Sequence, residues 1–166
     1  MAIFDLHTLS LEHEHWVEVL SNDAPVLIRA LQPGDLALEQ QLLRRVGSGT
    51  ARYRALAAAG AGGTAIVAFA HVAGHLRMVG ACRYAPKPGA RYCECAVLVE
   101  PAWQRLGLGT RLMLHLVQAA RANGCKAMIS VDPANHYAMH RLLKRAGFSS
   151  RYTQSDCSEI FHECCF

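Results

Sequence analysis

The sequence contains no apolar run approaching the roughly 20 residues that span a bilayer. Its opening stretch, MAIFDLHTLSLEHEHW, has no basic segment and carries Asp5, Glu12 and Glu14. These absences argue against a membrane span and an export signal, so the expectation is a soluble, cytoplasmic protein with no membrane partner. Strong charge of one sign is missing as well. The net charge is +4 and the 17 Lys and Arg residues are scattered, which argues against a nucleic-acid partner and suits a small polyanionic ligand better. The seven cysteines show no paired C-x2-C spacing, so no metal is expected. Their odd number, without an export signal, points to reduced thiols rather than a disulfide framework. Cys82, Cys93, Cys95, His162, Cys164 and Cys165 therefore read as small residues of apolar strands and not as zinc ligands.

What is present is enough apolar material for one core: 52% hydrophobic residues in a chain of 166, too short for two ordinary domains. PVLIRAL, Pro25 to Leu31, reads as a strand, and Pro33, Gly34 and Asp35 mark a turn into a helix over LALEQQLLRRV. A second short helix is expected over Thr50 to Ala59, broken by GAGG, Gly60 to Gly63. The runs TAIVAFAHV, LRMVGACRY and YCECAVLV follow. Turns at Gly74 and His75 and at Pro86, Pro88 and Gly89 make them an antiparallel meander. Beyond Val99 the period changes: Leu106, Leu112, Met113, Leu116, Val117 and Ala120 fall mostly on one helix face, which ends at Asn123 and Gly124. KAMISV is the next strand. Ala138, Met139, Leu142, Leu143 and Ala146 then recur at helical spacing between Ala134 and the stop at Gly147. FSSRYTQ and EIFHECCF form a last hairpin around Ser155 to Ser158. The order of strand, two helices, three strands, helix, strand, helix and two strands is an α+β fold on one mixed sheet. Residues 1–23, with His13, His15 and Trp16, lie outside this pattern and read as an arm or linker before a domain of residues 24–166.

The chemistry-bearing stretch is QRLGLGTRLM, Gln104 to Met113, where two glycines stand at the start of a helix. The first N–H groups of a helix have no intrahelical partner and sit at the positive end of its dipole, so such an end attracts anions. Gly107 and Gly109 would let a phosphate approach the backbone, with Gln104 and Arg105 closing over it. The alternative is that both glycines serve only a tight strand-to-helix turn. A P-loop is excluded because Gly109 is followed by Thr110 and Arg111 without a lysine. A dinucleotide fold is disfavoured because position 112 is Leu112 rather than a third glycine or alanine.

The segment Glu94 to Gly109, taken with NHYAMHRLLKRAGF, Asn135 to Phe148, resembles the GCN5-related N-acetyltransferase (GNAT) superfamily. Its loop pattern Gln/Arg-x-x-Gly-x-Gly/Ala is matched by Gln104, Gly107 and Gly109. Asn135, Ala138, Met139, Gly147 and Phe148 match its following helix. The resemblance covers residues 24–166. PVLIRALQPGD, SGTARYRAL and the helix ending LLKRAGF are similar to the bacterial protein-lysine acetyltransferase type. It implies a mostly antiparallel mixed sheet flanked by helices, with acetyl-CoA as co-substrate. The pyrophosphate would lie on the amides of Arg105, Leu106, Gly107, Leu108, Gly109 and Thr110. The pantetheine would run beside Ala96 to Val99 and contact Leu98, Val99, Asn135 and Met139.

An amine acceptor is protonated at neutral pH, since lysine has a pKa near 10.4, and must lose that proton before attack. Alternation along RYCECAVLV places Tyr92, Glu94, Ala96 and Leu98 on one face and Cys93, Cys95, Val97 and Val99 on the other. Glu94 is the only acid of this strand, and the resemblance makes it a general base acting through water. The plainer reading is a surface carboxylate paired with Arg83 or Arg91. The backbone N–H of Leu98 is expected to hold the developing oxyanion. The family's thiol-protonating tyrosine has no counterpart: aligned on Gly147, its place holds Leu143, and His136 stands at the usual Asn place. His136 and Tyr137 are substitutes for it, though either could be a surface or packing residue. The sequence thus implies an N-acetyltransferase for a protein lysine or a small-molecule amine. A non-catalytic acyl-CoA-binding sensor or regulatory module is the alternative. The last strands can pair within the chain or across a homodimer.

Overall fold

The computed structural model describes residues 15–59, 62–153 and 156–166. Its strands are β1 (His15–Val19), β2 (Pro25–Ala30), β3 (Thr64–Val72), β4 (His75–Pro86), β5 (Tyr92–Val99), β6 (Ala127–Pro133), β7 (Ser149–Thr153) and β8 (Asp156–Cys165). Its helices are α1 (Leu36–Val46), α2 (Ala51–Ala58), α3 (Leu108–Ala122) and α4 (Tyr137–Arg145). The strands form one sheet in the order β1-β2-β3-β4-β5-β6-β8-β7. Every neighbouring pair is antiparallel except β5 with β6. This is the α+β, mostly antiparallel mixed sheet that the sequence led us to expect.

Helices cover both faces of the sheet, which is why its central strands read as unbroken apolar runs. On one face Leu42 and Leu43 of α1 and Tyr53 of α2 pack with Val67, Phe69, Met78 and Leu98. On the other, Leu108, Leu112, Met113 and Leu116 of α3 and Leu143 of α4 pack with Ile66, Val79, Cys82, Cys93 and Cys95. The cysteines of β4 and β5 are thus core residues, and burial pushes the Cys82 and Cys95 thiols above their ordinary range. No helix among the described residues is long and apolar enough to cross a membrane.

One feature of the sheet prepares the site. The β5–β6 ladder covers only Tyr92–Glu94 against Ala127–Ile129. Beyond it, β5 stays paired to β4 as far as Val99 opposite Gly80, and β6 stays paired to β8 as far as Pro133 opposite Glu159. Each strand follows its outer neighbour, so the two diverge and open a wedge in the middle of the sheet.

Two expectations need correction. Residues 15–19, read as part of an arm, form the edge strand β1, paired to β2 from His15 opposite Arg29 to Val19 opposite Pro25. The polarity of this strand is inverted: Val17 and Val19 are exposed, whereas Trp16 stacks on His115 at 4.1 Å and Glu18 is paired with Arg111 and His115. Residues 1–14 lie outside the described residues. The last turn falls earlier than Ser155 to Ser158, because Thr153 already faces Asp156 and Ser158 belongs to β8. Gly60 and Ala61 of the expected helix break, and Ser155 of the expected hairpin turn, also lie outside the described residues.

Candidate active site

The wedge between β5 and β6 is a continuous cleft. Its smaller part, of about 280 Å³, lies between Cys95–Leu98 and Ser130–Pro133. Its open part, about 610 Å³, runs past Val99 to Gly107 and Thr110 at the start of α3 and to Arg141 and Arg145 on α4. Gly49, Val97, Leu98, His136 and Met139 border both.

Backbone parity decides what β5 offers this cleft. Glu100 N–H donates to Val79 O (2.9 Å), Lys87 N–H donates to Tyr92 O (3.2 Å), and the register between them has no shift. Even-numbered residues of β5 therefore direct their backbone groups at β4. Leu98, opposite Ala81, belongs to that set. The amides of Val97 and Val99 face the wedge instead, and the amide of Leu98, the one expected to hold an oxyanion, is directed at β4 and not at the wedge. The side-chain faces agree with the alternation read from the sequence: Ala96 and Leu98 pack towards α1 and α2, and Cys93, Cys95 and Val97 towards α3.

At the wide end, α3 starts with Gly107 in the left-handed region (φ +88°), preceded by Arg105 at φ +64°. The first bond of this helix runs from Arg111 N–H to Gly107 O (3.2 Å), so the N–H groups of Leu108, Gly109 and Thr110 have no acceptor within it. A Cβ on Gly107 would meet nothing within 4 Å, consistent with its open place in the cleft wall. Gly109 has a different reason. A Cβ there would come within 2.4 Å of Leu142 Cδ1, so this glycine lets α3 and α4 pack closely. Gln104 Nε2 donates to Val99 O (3.0 Å), tying the loop back to the end of β5.

Of the expected cofactor contacts, Leu98, Val99, Gln104, Arg105, Gly107, Thr110 and Met139 border the cleft. Leu106 and Leu108 turn their side chains into the core. Asn135 does not border the cleft; His136 does, in both its parts. The one-residue offset thus puts a histidine where the family pattern has its asparagine. Leu143 is a core residue, and Tyr137, 68% exposed, lies edge-on to His140 rather than in the cleft. Glu94 stands on the last paired row before the wedge, opposite Ile129, and accepts a hydrogen bond from Lys87 Nζ (3.0 Å). This hydrogen bond raises the Lys87 pKa. The partner is Lys87, not Arg83 or Arg91, and Glu94 does not border either part of the cleft.

Several cleft residues carried no signal in the sequence. Arg52 of α2 donates to Ser130 Oγ (2.9 Å) and to Val131 O, and lies 3.9 Å from Asp132. Ser130 Oγ in turn donates to Asp132 Oδ2 (2.6 Å). Tyr53 donates to Glu39 Oε1 (2.6 Å) under Arg83, and burial together with Glu39 raises its pKa, which keeps the phenol neutral. Among the residues bordering the cleft, Asp132 carries the only carboxylate. The open part has Arg105, Arg141 and Arg145 and no acid. Arg141 and Arg145 are four apart on α4, a spacing the sequence displayed without saying which way it faced. Free helix-start amides, cations without acids and strand amides beside a long cleft fit an elongated polyanion such as an acyl-CoA.

Comparison with known proteins agrees with this geometry. The model of the acetyltransferase (GNAT) family matches residues 37–148. The chain is 35% identical to acetyltransferase PA5475 of Pseudomonas aeruginosa, over 92% of this chain and 90% of that protein. Its fold is similar to the GNAT domain of S. lividans PAT, with a TM-score of 0.74 at 15% identity over 92% of this chain and 97% of that one. It is also similar to the structure of yncA from Salmonella typhimurium with its cofactor acetyl-CoA, with a TM-score of 0.64 at 20% identity over 84% and 93% of the two chains. The chain therefore belongs to the acetyltransferase (GNAT) family and is an acyltransferase.

Proposed function

We propose that this protein transfers the acetyl group of acetyl-CoA to a primary amine, on a protein lysine or a small molecule, by direct attack within the β5–β6 wedge. The observation that carries the reading is the alignment of three features along one cleft: the wedge amides of Val97 and Val99, the acceptor-free amides at the start of α3, and the arginines of its open part. The α3 amides, with Arg105, receive the pyrophosphate. Arg141 and Arg145 add positive charge beside it, and Val97 and Val99 hydrogen-bond the extended arm as a neighbouring strand would. When bound, acetyl-CoA supplies an activated thioester. The chain must hold the carbonyl, which falls to a wedge amide of β5, and must remove the amine's proton.

Glu94 takes that proton through water from the narrow end of the wedge. It is half-exposed and lies on the strand face of Ala96 and Leu98, towards α1 and α2. Asp132 is a second reading, favoured because its carboxylate borders the cleft itself. His136 borders both parts of the cleft, and we assign it the contact to the pantetheine expected of Asn135.

CoA release measured with poly-L-lysine, spermidine and a mixture of the L-amino acids tests the transfer. Glu94→Gln should lower kcat by about 10²- to 10⁴-fold near neutral pH with acetyl-CoA affinity unchanged, the usual size of a lost general base. Asp132→Asn should lower it much less. The reverse ranking would pass the role to Asp132. Release that no amine accelerates would reject amine transfer.

A further inference from the structure

The β6 side of the wedge has its own backbone parity. Phe166 N–H donates to Lys126 O (3.0 Å) and Ala134 N–H donates to Ser158 O (2.7 Å), and the register between them has no shift. Even-numbered residues of β6 therefore turn their backbone groups to β8, and odd-numbered ones turn theirs to the side of β5. Beyond the last paired row, Glu94 with Ile129, the first odd-numbered residue is Val131. Its carbonyl is taken by Arg52, which donates to Val131 O and to Ser130 Oγ (2.9 Å). Arg52 reaches this point from α2, which packs on the face of the sheet opposite α3.

Arg52 keeps donors for a ligand. The bonds to Ser130 and Val131 use two of a guanidinium's five N–H groups, and the side chain is 39% exposed. Asp132 accepts from Ser130 Oγ (2.6 Å) and lies 3.9 Å from Arg52, so its negative charge is matched where it stands. The smaller part of the cleft thus offers a cation with spare N–H groups and no excess of acid.

The place of this cation relative to the chemistry follows from the register. Carried past Glu94 and Ile129, it sets Val131 level with Ala96. Arg52, on Val131 O, is then one residue, roughly 3.3 Å along the strands, from the wedge-facing amide of Val97. With the cofactor's phosphates at the start of α3, its acyl end lies among these residues, and the side left for an acceptor is that of α2. The smaller part holds about 280 Å³, at the foot of the range of small-molecule sites, about 300–1,000 Å³.

We propose that the acceptor is an α-amino acid and that Arg52 selects it by pairing with its carboxylate. This rests on the acetyl-CoA and amine-transfer readings of the cleft. The short step from Arg52 to the Val97 amide calls for an anionic group close to the reacting nitrogen, and a carboxylate on the same carbon supplies it. A planar guanidinium matches that carboxylate in shape as well as charge. A polyamine or a lysine-rich peptide brings further cations to a cleft bordered by Arg52, Arg105, Arg141 and Arg145, where Asp132 is already matched. The product is the N-acetyl amino acid. Its C–N bond forms as the C–S bond of the thioester breaks; one acceptor proton passes to the base before attack and a second ends on the CoA thiol.

The test is CoA release by the full chain at pH 8 with saturating acetyl-CoA. The probes are individual L-amino acids, the amide and the decarboxylated amine of the best of them, spermidine and poly-L-lysine. The wild type should favour the amino acid over its amide by about 10- to 100-fold in kcat/KM, the size of a lost hydrogen bond to a charged group. The amide's nitrogen is the less protonated of the two, so that bias works against the expected preference. In Arg52→Gln the preference should collapse towards unity through a higher KM for the amino acid, with acetyl-CoA affinity by calorimetry unchanged. A merely structural role would slow acid and amide alike and leave their ratio standing, which would overturn the assignment of Arg52. Arg52→Lys keeps the charge without the planar fork; it should retain part of the preference and serves if Arg52→Gln does not fold. Equal kcat/KM for acid and amide in the wild type, or faster release with spermidine or poly-L-lysine than with any amino acid, would overturn the proposal while amine transfer stands. Release that no amine accelerates would reject amine transfer and the proposal with it, and calorimetry then reports separately on the acetyl-CoA reading.

Discussion

Gly107 and Gly109 look equivalent in QRLGLGTRLM and do different work. Gly107 takes a left-handed turn at an open wall of the cleft, whereas Gly109 makes room for Leu142. Gly109→Ala should therefore cost about 1–3 kcal/mol through overpacking, read as a lower melting temperature, while the folded protein keeps its acetyl-CoA affinity. Gly107→Ala costs about 1–2 kcal/mol for its backbone alone, since it gains a Cβ in the left-handed region without a clash. At this scale the sequence was a guide to place where a motif fixes a position, as for Gln104, Arg105 and Gly107, which border the cleft. It failed where the fold decides which way a group points. Asn135 and His136 differ by one place, and only the turn after β6 shows that His136 borders the cleft. Leu98 and its neighbours differ by backbone parity, which comes from the pairing partner and leaves no mark on residue type. Arg52 and Asp132 meet across 80 positions of sequence, and no local pattern reports such a meeting.

Elements were legible in proportion to how strongly one face is buried. The runs of β3 to β5 and the apolar stripe of α3 gave their own type and order, because helices on both faces demand continuous apolar strands. Strand β1 was missed because its apolar valines face solvent and its inward positions carry Trp16 and Glu18. This strand is tied to α3 electrostatically. Burial raises the Glu18 pKa, but hydrogen bonds from His115 and Arg111 outweigh it and hold the carboxyl below its ordinary value. With the native pKa depressed, this contribution is fully present above the ordinary carboxylate value and is lost as pH falls through the native one. Glu18→Gln should lower stability by about 1 kcal/mol at pH 7, allowing for partial exposure of Arg111. Urea unfolding should show the gap between wild type and variant closing towards acid pH. A gap that persists unchanged at pH 3 would mean that Glu18 contributes by packing alone.

Across the described residues, the candidate site follows from the place where the pairing of β5 with β6 stops. The outer pairings of β5 and β6 pull them apart, and the gap they leave ends at the amide-rich start of α3. The fold class was readable from element order, because an antiparallel meander followed by alternating helices and strands admits few sheets. The wedge itself was not, because nothing in the composition of KAMISV or YCECAVLV says where their pairing stops. The central claim is that this wedge binds acetyl-CoA with its pyrophosphate on α3, and calorimetric titration of wild type and Gly107→Glu with acetyl-CoA tests it most directly. Micromolar binding by the wild type, lost in a folded variant whose carboxylate repels the pyrophosphate, is the predicted result. Equal binding by both proteins, or none by folded wild type, would contradict the assignment of the α3 start as the phosphate site.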